Sequence, residues 1–247
     1  FAGMGGSGNV GDVIASILSK ENIHVNITKG YVLPKTVDKN TLIVITSVSG
    51  FTQETLSILK QAKKLDAGII AFSSGGKIEE YCIQNNIFFQ KIPMEHSPRA
   101  SLPKFLFSIL NILEKIIPIT KNEVMESIES LEKTRQQIYS RKLNLDNLSL
   151  NIAKWITKTP VIYYPRGLNS VSIRFKNSLN ENAKIHVISE ELLEACHNGV
   201  VAWEQNTEFQ PILIKGKDDH EKTKERWNII EDFFRKKHIK FLELNSI

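Results

Sequence analysis

Apolar positions along the first half of the chain recur with a period that switches between strand and helix. Thr41 to Thr46 is almost continuously apolar and β-branched, the pattern of a strand covered on both faces. Glu54 to Leu65 follows with helical spacing through Leu56, Leu59, Ala62 and Leu65. Gly68 to Phe72 reads as a second buried strand, Ile78 to Gln84 as a helix and Ile87 to Ile92 as a strand. Ahead of these, Ile14 to Ser19 predicts a helix and the alternation over Ile23 to Ile27 a strand. Strand and helix in alternation imply a parallel sheet with helices on both faces.

Leu102 to Ile116 reads as a strongly apolar helix. Its polar breaks at Ser108, Asn111, Glu114 and Lys115 make it a buried helix and not a membrane span. Asn122 to Tyr139 predicts a charged connecting helix and Asn144 to Ser149 a loop. The second half repeats the scheme. Strands are expected at Val161 to Tyr164, Ile185 to Ile188, Pro211 to Ile214 and Ile239 to Leu244. Helices are expected at Ser170 to Asn177, Glu190 to Cys196 and Glu221 to Lys237. The organisation is therefore α/β, with one subdomain over 1–120, a connecting helix and loop over 121–150, and a second subdomain over 151–247.

At 247 residues, 41% hydrophobic and 24% charged, the chain has the make-up of a globular protein with a packed core. Cys82 and Cys196 form neither a C-x-x-C pair nor a disulfide framework, which points to a reducing compartment and a cytoplasmic location. The +5 formal charge suits an anionic small substrate or nucleic acid. The basic residues are densest from Lys215 to Lys240, but Asp218, Asp219, Glu221, Glu225, Glu231 and Asp232 interleave with them. That is a solvated helix face, and no nucleic-acid partner is expected. The chain opens at Phe1 and stops at Ile247 after an apolar run, so further elements are expected on both sides.

Two loops carry the chemistry of the first half. Gly3-Met4-Gly5-Gly6-Ser7-Gly8 opens a helix, and glycines there let backbone N–H groups approach an anion. The spacing also satisfies a dinucleotide fingerprint, but that fingerprint wants an acidic residue closing the second strand, where Thr28 and Lys29 stand. Ser47-Val48-Ser49-Gly50-Phe51-Thr52 directly follows a buried strand and opens the next helix. With Ser7, these hydroxyls can donate to a terminal phosphate, while helix capping by Ser49 or Thr52 is the plainer use of the same residues.

His96-Ser97-Pro98-Arg99-Ala100-Ser101-Leu102-Pro103 offers an arginine on a proline-braced loop, suited to steadying an oxyanion or to a surface ion pair. In the second half, Glu181 in Asn180-Glu181-Asn182 and His197 in Cys196-His197-Asn198-Gly199 lie 16 residues apart (197 − 181) across a predicted strand. A carboxylate can move a proton between adjacent carbons through an enediol, and a histidine can open a sugar ring near neutral pH. No His, Cys or Asp group has metal-ligand spacing, and Cys196 has no oxyanion loop around it.

Gly-Met-Gly-Gly-Ser-Gly followed some forty residues later by Ser-x-Ser-Gly-x-Thr resembles the sugar isomerase (SIS) domain. Pro-Arg-x-Ser-x-Pro, Asn-Glu-Asn, and His-Asn ahead of Trp203-Glu204 extend the resemblance over the chain to the bifunctional phosphoglucose/phosphomannose isomerases. It implies two tandem SIS-type, flavodoxin-like parallel-sheet subdomains. It further implies that Gly5, Gly6, Ser7, Ser47, Ser49 and Thr52 hold the phosphate, Glu181 is the base, His197 opens the ring and Arg99 stabilises the enediolate. The implied reaction interconverts glucose 6-phosphate and mannose 6-phosphate with fructose 6-phosphate, in a homodimer, with no cofactor, metal or membrane. By the same resemblance the histidine reaches the site from the partner subunit. Val48 and Phe51 depart from the tyrosine and polar residue usual in the family, and the family's C-terminal lysine lies beyond Ile247. The alternative is a non-catalytic SIS module that binds sugar phosphates and keeps only the hydroxyl loops.

Overall fold

A computed structural model describes residues 1–246, and the chain divides into two compact units, Phe1–Pro118 and Ile119–Ile247. In the first unit, β1 (Leu42–Ser47), β2 (Gly68–Ser73) and β3 (Phe88–Lys91) form a parallel sheet in that order. Helices α1 (Gly5–Leu18), α2 (Gln53–Ala62), α3 (Gly76–Gln84) and α4 (Leu102–Ile112) surround it. Strand side chains alternate between faces. Ile43, Ile45 and Ala71 accordingly pack with Leu56, Leu59, Ile78 and Cys82 of α2 and α3. Val44, of opposite parity, is buried on the other face, and α1 packs against both β1 and α4. Each apolar side chain buried in this way contributes about 1.5–3 kcal/mol.

The predicted strand over Ile23 to Ile27 is not formed. Ala2 takes the place beside β1, bridging Ile45 on one side and Thr28 on the other. Its N–H donates to Val44 O and its carbonyl accepts from Thr46, both at 2.9 Å. Pairing on the outer side is confined to residues 26–28, and Ile23, His24 and Asn26 remain exposed. With no partner further along, the alternation is not converted into a strand.

In the second unit, β4 (Thr159–Tyr164), β5 (Ile188–Glu191), β6 (Phe209–Lys215) and β7 (Leu242–Asn245) form a parallel sheet in the order β5-β4-β6-β7. Helices α5 (Lys121–Gln137), α6 (Leu148–Trp155), α7 (Asn169–Ser178), α8 (Leu192–Ala195) and α9 (Glu221–Lys236) accompany it. Parity again separates the layers. Val161, Tyr163 and Leu213 pack with Leu192, Trp227, Ile230 and Phe234, whereas Ile162, Ile212 and Ile214 pack with Trp155, Phe175 and Leu179. Helices therefore cover both faces, as expected.

Several boundaries differ from the sequence pattern, among them the end of α4 at Ile112 and the start of β7 at Leu242. Helix α6 begins within the expected loop Asn144 to Ser149, started by Asn147, whose buried side chain accepts the Leu150 amide at 3.1 Å. Strand β5 begins at Ile188, where the expected strand ended, so Glu190 is a strand residue and α8 is short. Helix α1 starts inside the glycine turn at Gly5. Among the described residues no helix is long and apolar enough to cross a membrane.

Candidate active site

The carboxyl edge of the first sheet gathers the hydroxyl loops. Leaving Ala2, the chain turns at Gly3 and enters α1, so the first-turn N–H groups of Gly5, Gly6 and Ser7 have no intrahelical partner. The turn closes only because both flanking residues are glycine. A Cβ on Gly3 would lie 2.8 Å from Thr46 O, and one on Gly8 would lie 2.6 Å from Gly3 O. Ser7 Oγ accepts the Val48 N–H at 3.0 Å, which ties the glycine turn to the loop after β1.

Within that second loop the hydroxyls organise one another. Ser47, fully buried, donates from Oγ to Thr52 Oγ1 at 3.1 Å and accepts the Gly50 N–H at 3.2 Å. Ser49 Oγ accepts the Phe51 N–H at 3.3 Å. Thr52 occupies the N-cap position of α2, yet its side chain makes no capping hydrogen bond. Thr52 therefore does not cap α2 through its side chain. Gly50, at φ +75°, lets this loop press on the turn after β2, where a Cβ would meet Gly75 O at 1.7 Å. The loop Ser73–Gly76, which the sequence pattern did not single out, is thus the wall against which the hydroxyl loop is set.

Arg99 is exposed on the turn Pro98–Ser101, which opens α4 and packs against α1. Buried Ser101 holds this segment, accepting the Glu95 N–H at 3.0 Å and donating to Ser97 O at 2.9 Å. Lys29, at the position that fails the dinucleotide fingerprint, instead pairs with Asp12 of α1 at 2.6 Å. A largely apolar cavity of about 660 Å³, lined by Phe1, Leu18, Ile23, Thr41 and Ile117 among others, includes none of the hydroxyl-loop residues.

In the second unit, Glu181 lies on a π-helical turn, Leu179–Ala183, that continues α7 and ends at Lys184 in the left-handed region (φ 60°). Such turns widen the hydrogen-bond register and recur at functional sites. The Lys184 ammonium donates to the Glu181 carbonyl at 2.5 Å, and the Glu181 side chain is exposed. His197 follows α8, its N–H bonded to Glu194 O at 3.0 Å and its side chain exposed. The turn Gly199–Glu204 behind it is pinned by Trp203, whose Nε1 donates to buried Tyr163 at 2.7 Å. Burial pushes the Tyr163 hydroxyl up to about 12.

Two further groups lie on or against the segment from Cys196 to Gly199. Glu190, at the carboxyl end of β5, presses its carboxylate on Gly199, where a Cβ would meet both oxygens within 2.9 Å. Desolvation, then the neighbouring Glu194, holds the Glu190 carboxyl above the usual range. Burial also raises the Cys196 thiol, the reverse of what a nucleophile needs. Chain direction separates the two candidate catalytic groups. Val161 pairs in parallel with Ile188 and Tyr164 with Glu191. The return segment carrying Glu181 therefore reaches the amino edge of this sheet, and His197 leaves its carboxyl edge.

This α/β architecture recurs in solved structures. A glucosamine-6-phosphate deaminase from Thermotoga maritima superposes with a TM-score of 0.75 at 15% identity, covering 100% of this chain and 75% of that one. Residues 145–246 match the bacterial phospho-glucose isomerase C-terminal SIS domain. A bifunctional phosphoglucose/phosphomannose isomerase from Caldicellulosiruptor bescii is 30% identical over 245 residues, covering 95% of this chain and 72% of that protein. A D-glucosamine-6-phosphate 4-epimerase from Sulfolobus acidocaldarius is 30% identical over 217 residues, covering 87% and 67%. The chain belongs to the bifunctional phosphoglucose/phosphomannose isomerase family.

Proposed function

We propose that this chain holds the phosphate of a sugar 6-phosphate on Gly5, Gly6, Ser7, Ser47, Ser49 and Thr52, and isomerises the sugar with Glu181, His197 and Arg99. It is an aldose–ketose isomerase that interconverts glucose 6-phosphate and mannose 6-phosphate with fructose 6-phosphate. The observation that carries the reading is the gathering of four hydroxyls at one sheet edge, with Thr52 at a helix N-cap but not capping it. A phosphate carries about −1.5 to −2 charge at pH 7 and three strong acceptors. Hydroxyl donors and two helix N-termini match that charge.

His197 opens the ring by passing a proton to the ring oxygen while the anomeric hydroxyl gives one up, so that the ring C–O bond breaks and the carbonyl forms. The Glu181 carboxylate then takes the proton from the carbon beside the carbonyl and returns it to the neighbouring carbon. Between the two transfers negative charge collects on the enediolate oxygen, where the Arg99 guanidinium stabilises it. Glucose and mannose 6-phosphates differ only in configuration at C2, so both give the same enediol once that carbon loses its proton. Rotation of the enediol exposes either face to reprotonation.

The active form is a homodimer in which His197 serves the partner's site. This is supported by the separation of Glu181 and His197 on opposite edges of one sheet. The enzyme belongs to cytoplasmic carbohydrate metabolism. A coupled assay for fructose 6-phosphate on the full-length protein, with each sugar phosphate supplied separately, tests the reading. Turnover of both supports it. Absence of turnover with tight binding of fructose 6-phosphate would leave a sugar-phosphate-binding protein.

A further inference from the structure

Phe51 is an aromatic side chain on a loop otherwise built of hydroxyls and glycine, and 57% of it is exposed. Single exposed apolar residues are common and by themselves mean nothing. This one is held in place. Its N–H is bound to Ser49 Oγ at 3.3 Å, and its carbonyl accepts from Gln53 Nε2 at 3.3 Å. Gly50 before it is locked against Gly75. The ring itself rests on Gly76, where a Cβ would come within 2.8 Å of Phe51 Cε2. Gly76, at φ +71°, has no side chain to displace it. The ring is therefore an exposed apolar group braced on Gly76, carried in the sequence between Ser49 and Thr52.

We propose that Phe51 packs against the carbon skeleton of the sugar and thereby sets selectivity for a phosphorylated sugar over free phosphate. With a phosphate held on the loop that carries Ser49 and Thr52, the first carbons of its sugar would come within reach of this exposed ring. Sugar C–H faces are apolar, and a ring with two side-chain torsions offers contact area at small entropic cost. The assignment rests on the hydroxyl loop being the phosphate site.

The test measures binding by calorimetry, so that it does not depend on turnover. Fructose 6-phosphate and inorganic phosphate are titrated separately into wild type, Phe51→Ala and Phe51→Leu. The expected result for Phe51→Ala is roughly tenfold weaker fructose 6-phosphate binding, with phosphate affinity within about twofold of wild type. Phe51→Leu should fall between. Equal weakening of both ligands would make Phe51 a support of the loop, and no change in either would make it a surface ring. Both outcomes overturn the assignment. Failure of wild type to bind either ligand would remove the phosphate site itself and the inference with it.

Discussion

Glu181 and His197 leave opposite edges of the sheet formed by β4 to β7, although only 16 residues (197 − 181) separate them. Strand β5 and its flanks lie between them, and a parallel strand cannot fold back on itself to bring its two ends together. If both groups act on one sugar, a second copy of the chain is the natural source of one of them. Co-expressed Glu181→Gln and His197→Ala chains, purified as mixed dimers, should then regain about half of wild-type activity, because one site per C2 dimer keeps both groups. Residues acting within a single chain would leave those mixed dimers inactive.

The hydroxyl loop makes its prediction through KM. Thr52→Val removes the hydroxyl that accepts from Ser47, and Ser47→Ala removes both that donor and the acceptor of the Gly50 amide. Hydrogen bonds to charged groups contribute about 1.5–3 kcal/mol, so each change should raise KM roughly 10- to 100-fold. Steady-state kinetics should show kcat changing much less, because the phosphate is held in ground and transition states alike.

Gly50 is predicted to be irreplaceable. Its φ of +75° and the 1.7 Å approach of a Cβ to Gly75 O leave no room for Gly50→Ala without moving the turn after β2. A stability loss of at least about 3 kcal/mol is expected in urea denaturation, together with loss of phosphate binding.

Glu190 should make stability depend on pH. Its carboxyl is raised in the folded state by desolvation first and by Glu194 second. A carboxyl raised above its unfolded value holds its proton more tightly when folded. Its contribution is therefore favourable at low pH and is lost as pH rises through the folded value. Glu190→Gln mimics the protonated form. The variant should be the more stable protein near pH 8, by chemical denaturation, with the gap closing near pH 4. A gap that persists unchanged at pH 4 would exclude this linkage.

Much of this architecture could be read from the chain. The centres of β1, β4 and β6 (Leu42–Ile45, Val161–Tyr164 and Ile212–Ile214) are continuous apolar runs because both faces of each strand are covered. The hydroxyl loops were legible because two glycine–serine clusters each stand ahead of a predicted helix in the same half of the chain. Other features left weaker marks. The start of α1 at Gly5 runs against glycine's low helix propensity and is imposed by the backbone contact of Gly3 with Gly8. β5 ends in Ser189, Glu190 and Glu191, whose polarity disguises a strand that lies at the sheet's edge. The π turn under Glu181 shifts a hydrogen-bond register, which hydrophobic spacing does not record. The bonds among Ser7, Val48, Ser47 and Thr52 are long-range or loop-specific, so proximity could be expected from the sequence but not the partners.

If Glu181 is the base, it moves a proton between neighbouring carbons of the sugar. Solvent deuterium entering C2 of the hexose 6-phosphate formed from fructose 6-phosphate, followed by proton NMR, measures that transfer. Wild type should incorporate deuterium as it turns over, and Glu181→Gln should do so at least ~100-fold more slowly while binding fructose 6-phosphate normally. Incorporation by Glu181→Gln at the wild-type rate would contradict the assignment of Glu181 as the base.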